Sequence, residues 1–440
     1  MAVNQNRRSF LKTTAAAASA LAIPYYVPAS VLGLEDKAPP SDRIVMGCIG
    51  TGGKGRHNMG TFMGFPDVQM VAVCDVDAKN RDMAHKQVNG HYKNEDCKAY
   101  NDFREITSRT DIDAVAISTP DHWHAIASIA AANGGKDIYC EKPLANSVAE
   151  GRGICNAVEK NKRILQTGTQ ERSGDNARAV CELVQAGRIG KLNTLRINLP
   201  CVDGHHLEAR KVEGIPAAQN VPEGFDYNFW LGHTAEVPYT EKRCHFWWRF
   251  NLAYGGGEMT DRGAHVIDIG QLGAGMDATG PVEYEASGVQ AKDSLYNVFW
   301  DYKFKCTYAS GLEMIGEAVG PRGVKFEGAD GWIFVHIHGQ KLEASDEALL
   351  KEVQAIISKG DFKLGRSPGH HRNFIDCVKS RQPTIAPAEV GHRTGSICHL
   401  NNIAMTVGRK IKFDPASEQI LGDEEAAKLL SPAMREPWKL

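Results

Sequence analysis

Apolar residues fall in short blocks along the first half of the chain. Residues 43–50 read Arg-Ile-Val-Met-Gly-Cys-Ile-Gly, Val68 to Cys74 is nearly all apolar, and similar runs cover Ile112–Ser118, Asp137–Cys140 and Arg163–Thr167. Short apolar runs closed by Gly, Pro or a polar residue predict strands buried on both faces. Mixed, often Ala-rich stretches between them predict helices. This alternation predicts a parallel, doubly wound α/β sheet that binds ligands at the carboxyl ends of its strands. Beyond Thr167 the pattern changes. Lys191–Leu199, Val282–Gln290, Leu295–Lys305, Glu313–Val319 and Gly331–Ile337 read as strands with few helices between them, which suits an antiparallel sheet. Residues 200–260 form a long loop-rich stretch, the pattern of lids or binding loops.

The first strand runs into Gly50-Thr51-Gly52-Gly53-Lys54-Gly55, a G-x-G-x-x-G fingerprint at a strand end. Gly50 allows the tight turn, Gly52 and Gly53 let backbone approach a pyrophosphate, and Gly55 lets helix and strand pack closely. The second strand ends in Asp75, placed to bind ribose hydroxyls. Strand, glycine loop, helix, strand and acidic residue together predict a Rossmann domain for a nicotinamide dinucleotide. Asp75 favours NAD, because a carboxylate repels a 2′-phosphate; Lys79 and Arg81 close by leave NADP open.

The chain has 440 residues, enough for two domains. Its net charge of −2 offers no basic excess to hold a phosphate backbone, so nucleic acid is not an expected partner. Eleven cysteines show no zinc spacing and no disulfide framework, and no metal is expected. At the N-terminus, Arg7-Arg8-Ser9-Phe10-Leu11-Lys12 precedes an apolar run from Thr13 to Ile23. This resembles a twin-arginine export signal, with Asn6 where Ser or Thr is usual. The run is about half the ~20 residues a bilayer-spanning helix needs. Export to the periplasm through the twin-arginine machinery is therefore expected, with a retained signal as anchor the alternative. A protein exported folded loads its cofactor in the cytoplasm, and folding in that reducing compartment suits scattered free thiols.

Three further segments carry a resemblance: Thr119-Pro120-Asp121-His122-Trp123-His124, Glu141-Lys142-Pro143, and Gly255 to His265. With the glycine loop they resemble the Gfo/Idh/MocA oxidoreductases, the family of glucose–fructose oxidoreductase and inositol dehydrogenase. The resemblance implies a C-terminal α+β domain with a largely antiparallel, open-faced sheet, and a homo-oligomer. The expected division is a signal over 1–33, a Rossmann domain over 42–167, a substrate and oligomerisation domain over 168–413, and a tail over 414–440.

The resemblance also implies roles. Lys142, Asp261 and His265 become the catalytic set, with Lys142 or His265 taking the hydroxyl proton as hydride leaves the carbon. Four positions apart on a helix, Asp261 and His265 would share a face. Gly50, Gly52, Gly53, Gly55, Asp75, Thr119, Pro120, His122, His124, Glu141 and Lys142 would bind the cofactor. Asp121 is the candidate cap of the helix after Trp123. Gln170, Arg172, Trp247 and Arg249 are candidates for gripping a sugar or cyclic polyol, with His205 and His206 nearby, although Trp247 and Arg249 also suit loop packing. Alternatives are a redox-neutral glycosidase that oxidises, eliminates, hydrates and reduces with bound NAD, and a non-catalytic NAD-binding sensor.

Overall fold

The computed structural model describes Pro39 and residues 42–440. The expected signal over 1–33 lies outside the described residues.

Six strands form a wholly parallel sheet: β1 (Ile44–Ile49), β2 (Val68–Cys74), β3 (Lys98–Tyr100), β4 (Ala114–Ile117), β5 (Asp137–Cys140) and β6 (Leu165–Thr167). Their order is β3-β2-β1-β4-β5-β6. The apolar blocks are continuous because both faces are covered. Met46, Cys48, Ala114, Ala116 and Tyr139 enter one core, while Ile49, Val115, Ile117, Ile138 and Cys140 enter the other. The strand order reverses between β1 and β4. The glycine loop and the loop after β4 therefore flank one crevice at the carboxyl edge.

A nine-stranded sheet follows, in the order β13-β12-β11-β7-β10-β9-β8-β14-β15. It comprises β7 (Leu192–Asn198), β8 (Glu283–Gln290), β9 (Phe299–Thr307), β10 (Glu313–Glu317), β11 (Gly323–Gly328), β12 (Trp332–His336), β13 (Leu342–Ala344), β14 (Ile411–Asp414) and β15 (Gln419–Leu421). Every pair is antiparallel except β7–β10. The helices Gly263–Ala274 and Ala388–Val407 pack on it, and together they bury one large core. On β9, Trp300, Tyr302, Phe304 and Cys306 point into that core while Asp301, Lys303 and Lys305 are exposed. That alternation leaves one face open.

The expected tail over 414–440 is instead built into the domain. Strand β15 forms the sheet edge beside β14, Glu418 pairs with Arg152 and His392, and Arg435 donates to the Gly232 carbonyl. All eleven cysteines are buried, unbridged thiols. Burial pushes the Cys48 thiol up to about 12. No helix among the described residues is long and apolar enough to cross a membrane.

Candidate active site

The glycine loop has the geometry its sequence predicts. Gly50 adopts φ +80°, and a Cβ on Gly55 would lie 1.9 Å from the Gly50 carbonyl oxygen. A Cβ on Gly52 or Gly53 would meet nothing within 4 Å. The helix Gly53–Met63 begins here with no side chain capping it, so its first amides are available to an anion. Asp75 holds this loop to the end of β2. Its Oδ2 accepts from the Thr51 amide at 2.7 Å and its Oδ1 from the Asp77 amide at 2.9 Å. Arg81 is turned to the Asp75 carbonyl at 2.6 Å and to Asn101.

Lys54 and Asn58, one helical turn apart, both reach Glu141. Asn58 Nδ2 donates to Glu141 Oε1 at 2.8 Å and Lys54 Nζ lies 3.4 Å away. Burial opposes ionisation of Glu141, but Lys54, Asn58 and Lys142 hold it below its ordinary range. Glu141 thus braces the glycine loop from below. Sequence reading did not single out Lys54 and Asn58, although both lie in the helical turn that the fingerprint opens.

The loop after β4 divides by role. Thr119 Oγ1 is buried without a hydrogen-bond partner. Pro120 precedes a single 3-10 turn, Asp121–Trp123. His122, expected at the cofactor, is fully buried among Trp230, Tyr254 and His233, with Nε2 2.9 Å from the Trp230 carbonyl. Burial lowers its pKa to about 3, so it is a neutral packing residue. His124 is a strut: Nδ1 lies 2.7 Å from the Pro143 carbonyl and Nε2 3.0 Å from that of Thr119. It ties the loops after β4 and β5 together. Asp121 caps neither the turn nor the following helix. It is 3% exposed, and burial pushes its carboxyl well above the usual range despite Lys142 and Arg249 nearby.

Lys142 Nζ donates to Asp261 Oδ1 at 2.5 Å and to its main-chain oxygen at 2.8 Å. Burial opposes ionisation of Asp261, yet Lys142, Arg249 and Arg262 hold it far below the ordinary carboxylate range. The Arg249 guanidinium lies 4.4 Å from the Trp248 ring centroid, with Nε 3.8 Å from Asp261 Oδ2. The expected single helix through Asp261 and His265 is interrupted: one short helix ends at Asp261, Arg262 forms the break, and the next starts at Gly263. His265 still sits within electrostatic reach of Lys142 and Asp261. It is 2% exposed and its Nδ1 has no partner. Burial first, then Lys142 and His338, push its pKa well below the ordinary value. The ring is therefore neutral and has an open lone pair.

The substrate candidates separate similarly. Gln170 is half-buried, and its Oε1 lacks a partner. Arg172 does not face a cleft: it is 1% exposed and clamped by Asp268 at 2.6 Å and Asp277 at 2.7 Å. Trp247 stacks on Tyr296, in the segment before β9, and packs its loop against the large core. Asp203, His205 and His206 have metal-ligand spacing. However, Arg262 and Arg322 neutralise Asp203 and the adjoining Glu258, which His206 contacts. The group is an ion-pair knot in which His206 Nδ1 is buried without a partner.

Comparisons with known proteins match both folded parts of the chain. Residues 44–169 match the model "Oxidoreductase family, NAD-binding Rossmann fold", and residues 174–440 match "Oxidoreductase family, C-terminal alpha/beta domain". Inositol 2-dehydrogenase of Rubrobacter xylanophilus is 30% identical over 152 residues, 34% of this chain and 42% of that protein. A glycosyl hydrolase family 109 protein of Shewanella pealeana is 31% identical over 207 residues, 42% of this chain and 44% of that one. The matches thus span less than half the length of these curated relatives. Aldose-aldose oxidoreductase of Caulobacter crescentus shares the fold, with TM-score 0.59 and 18% identity over 84% of this chain and 100% of that one. The WlbA dehydrogenase of Bordetella pertussis, solved with NADH and UDP-GlcNAcA, has TM-score 0.59 and 14% identity over 84% and 99%.

Proposed function

This chain belongs to the GFO/IDH/MocA oxidoreductase family, and on that premise we propose that it transfers a hydride between a hydroxyl-bearing carbon of a sugar or cyclic polyol and tightly held NAD. The observation that carries the reading is the Lys142–Asp261 ion pair at the carboxyl edge of the Rossmann sheet, with His265 within electrostatic reach of both.

The residues present fit the dinucleotide. Gly52 and Gly53 leave open space beside uncapped helix amides, and the buried polar atoms without partners include those of Thr119 and Gln170, just past the carboxyl ends of β4 and β6, and of His265. Their place at the strand ends beside the glycine loop, where a dinucleotide would lie, supports a ligand-binding role for them. Gly50 to Gly55 would hold the pyrophosphate, Asp75 the ribose, and Thr119 the nicotinamide end. When bound, NAD supplies the hydride acceptor. The chain's own side chains manage the proton. Lys142 is fixed by Asp261 and orients the substrate hydroxyl, Arg249 steadies that carboxylate, and neutral His265 accepts the hydroxyl proton. Gln170 is placed to bind a neighbouring hydroxyl.

Similarity to glycosyl hydrolase family 109 proteins favours a second reading with the same first step: the oxidised sugar loses its aglycone, adds water and recovers the hydride. Purified holoprotein decides between them. Released nucleotide would be identified by mass spectrometry after denaturation, followed by single-substrate assays on polyols, sugars and aryl glycosides. Net NADH from a polyol or sugar supports hydride transfer. Aglycone release without net NADH supports the glycosidase. Neither product, with no bound nucleotide, overturns both and leaves a non-catalytic sensor.

We extend the proposal to periplasmic export by the twin-arginine route and to a homo-oligomer built on the open sheet face. The signal resemblance at Arg7–Lys12 and the exposed face of β9 support these. N-terminal sequencing of the periplasmic protein and light scattering test them. A cytoplasmic, uncleaved monomer overturns both.

A further inference from the structure

His265 is the neutral base of the site, yet it is 2% exposed. A proton it takes from a substrate must leave before the next turnover, and Lys142 is occupied by Asp261. The ring touching His265 is that of His338, with centroids 5.4 Å apart at an interplanar angle of 77°. The His338 side chain is 42% exposed, so it bridges the buried base and solvent.

His338 is held there at a conformational cost. It lies in the turn between β12 and β13, where His338, Gly339 and Gln340 adopt φ of +64°, +119° and +51°. Left-handed backbone at a non-glycine residue is unfavourable and persists where surrounding contacts impose it. Those contacts come from Gln340 and Glu171. Gln340 Oε1 accepts from the Ala177 amide at 3.1 Å, and its Nε2 donates to the Glu171 carbonyl and carboxylate, each at 3.1 Å. Asn176 donates to the Gln340 carbonyl at 2.8 Å. Gly174 admits this latch, since a Cβ there would lie 1.7 Å from Gln340 Nε2. Glu171 Oε1 then faces His338 Nδ1 at 3.3 Å.

We propose that His338 is a proton-shuttle residue, aligned by the Glu171–Gln340 latch, that carries the proton from His265 to solvent. The proposal rests on the hydride-transfer reading. In each cycle the His265 N–H bond breaks, directly or through one water, and a His338 N–H forms. His338 then releases that proton to solvent, and both rings end the cycle neutral. The charges favour this direction. Lys142, Lys54 and His338 oppose a proton resting on His265 while Asp261 favours it, and the ionised Glu171 carboxylate faces His338 Nδ1 at 3.3 Å. Burial opposes that ionisation, but His338 and Gln340 hold the Glu171 carboxyl below its usual range.

The test uses His338→Asn, which tolerates left-handed backbone, and His338→Gly, which prefers it. Ring-nitrogen NMR of holoprotein reads exchange of the His265 ring proton with water, and steady-state kinetics reads turnover on a polyol and sugar panel beginning with myo-inositol and glucose. Both variants are expected to slow exchange and to lower kcat about tenfold or more with KM unchanged, and added imidazole should restore much of kcat. Unchanged exchange in both variants overturns the proposal. So does a raised KM that imidazole does not correct, which would make His338 a substrate-binding residue. If wild-type protein turns over nothing in the panel, the hydride-transfer reading fails there, and the exchange measurement still decides the shuttle.

Discussion

Lys142 Nζ lies 2.5 Å from Asp261 Oδ1 although 119 positions separate them in sequence. One residue follows the fifth strand of the Rossmann sheet and the other ends a short helix of the C-terminal domain. The ion pair therefore couples the Rossmann sheet to the C-terminal domain. It also divides the labour. Lys142 is committed to a carboxylate, which leaves His265 with the open lone pair.

Breaking that pair separates catalysis from folding. Asp261→Asn removes the carboxylate that balances Lys142, Arg249 and Arg262. It is expected to lower kcat about 100-fold or more while costing only about 1–3 kcal/mol, since the pair is partly solvated. Lys142→Met should match it in kcat. Steady-state kinetics beside urea unfolding reads both quantities. Wild-type turnover in either variant would remove the pair from the mechanism.

Arg172 has the opposite profile. It is clamped between Asp268 and Asp277 in the interior, where burial pushes the Asp268 carboxyl up against the arginine's pull. Arg172→Met strands that carboxylate and is expected to cost about 3–5 kcal/mol. The variant that survives should keep its KM. Normal stability with a weakened KM would instead return Arg172 to the substrate site.

Buried histidines give the fold an acid limit. Burial lowers His370 to about 4 and His371 to about 4, against roughly 6.5 in an unfolded chain. Their contribution is complete above pH 6.5. As pH falls from there toward 4, the unfolded chain binds protons that the folded one does not, so stability drops. The loss is about 1.4 kcal/mol per pH unit for each histidine. His370→Gln should lose about one proton from that slope in urea titrations between pH 7 and 5. An unchanged slope would show that His370 does not remain neutral in the folded protein.

The sequence made the Rossmann half legible because its signals are local. Each strand is a contiguous apolar run, and the glycine loop, Asp75 and Glu141-Lys142 sit at strand ends. The C-terminal half was read less completely. Strands β13, β14 and β15 have only three or four residues, too short for alternation to register, and β15 falls in the expected tail. Arg172 and His122 followed the right strands, but whether a polar side chain faces a cleft or an interior partner depends on distant residues: Asp268 and Asp277 for one, the Trp230 carbonyl for the other. His338 was invisible for the same reason. It reaches the site only through a latch made with residues around 171–177.

Two glycines of one loop should fail in different ways. A Cβ on Gly55 would lie 1.9 Å from the Gly50 carbonyl oxygen, a clash with backbone that no rotamer relieves. Gly55→Ala is therefore expected to lower the melting temperature and NAD affinity together. A Cβ on Gly52 meets nothing within 4 Å, and the backbone there has φ −59°, so Gly52→Ala should leave the melting temperature of nucleotide-free protein within a degree or two. That same open space is where the pyrophosphate would pack against bare backbone. Gly52→Ala should then weaken NAD about tenfold or more in calorimetric titration. Equal losses of stability in both variants would mean that the cradle is a structural turn. Wild-type NAD affinity in Gly52→Ala would mean that the dinucleotide lies elsewhere along the crevice.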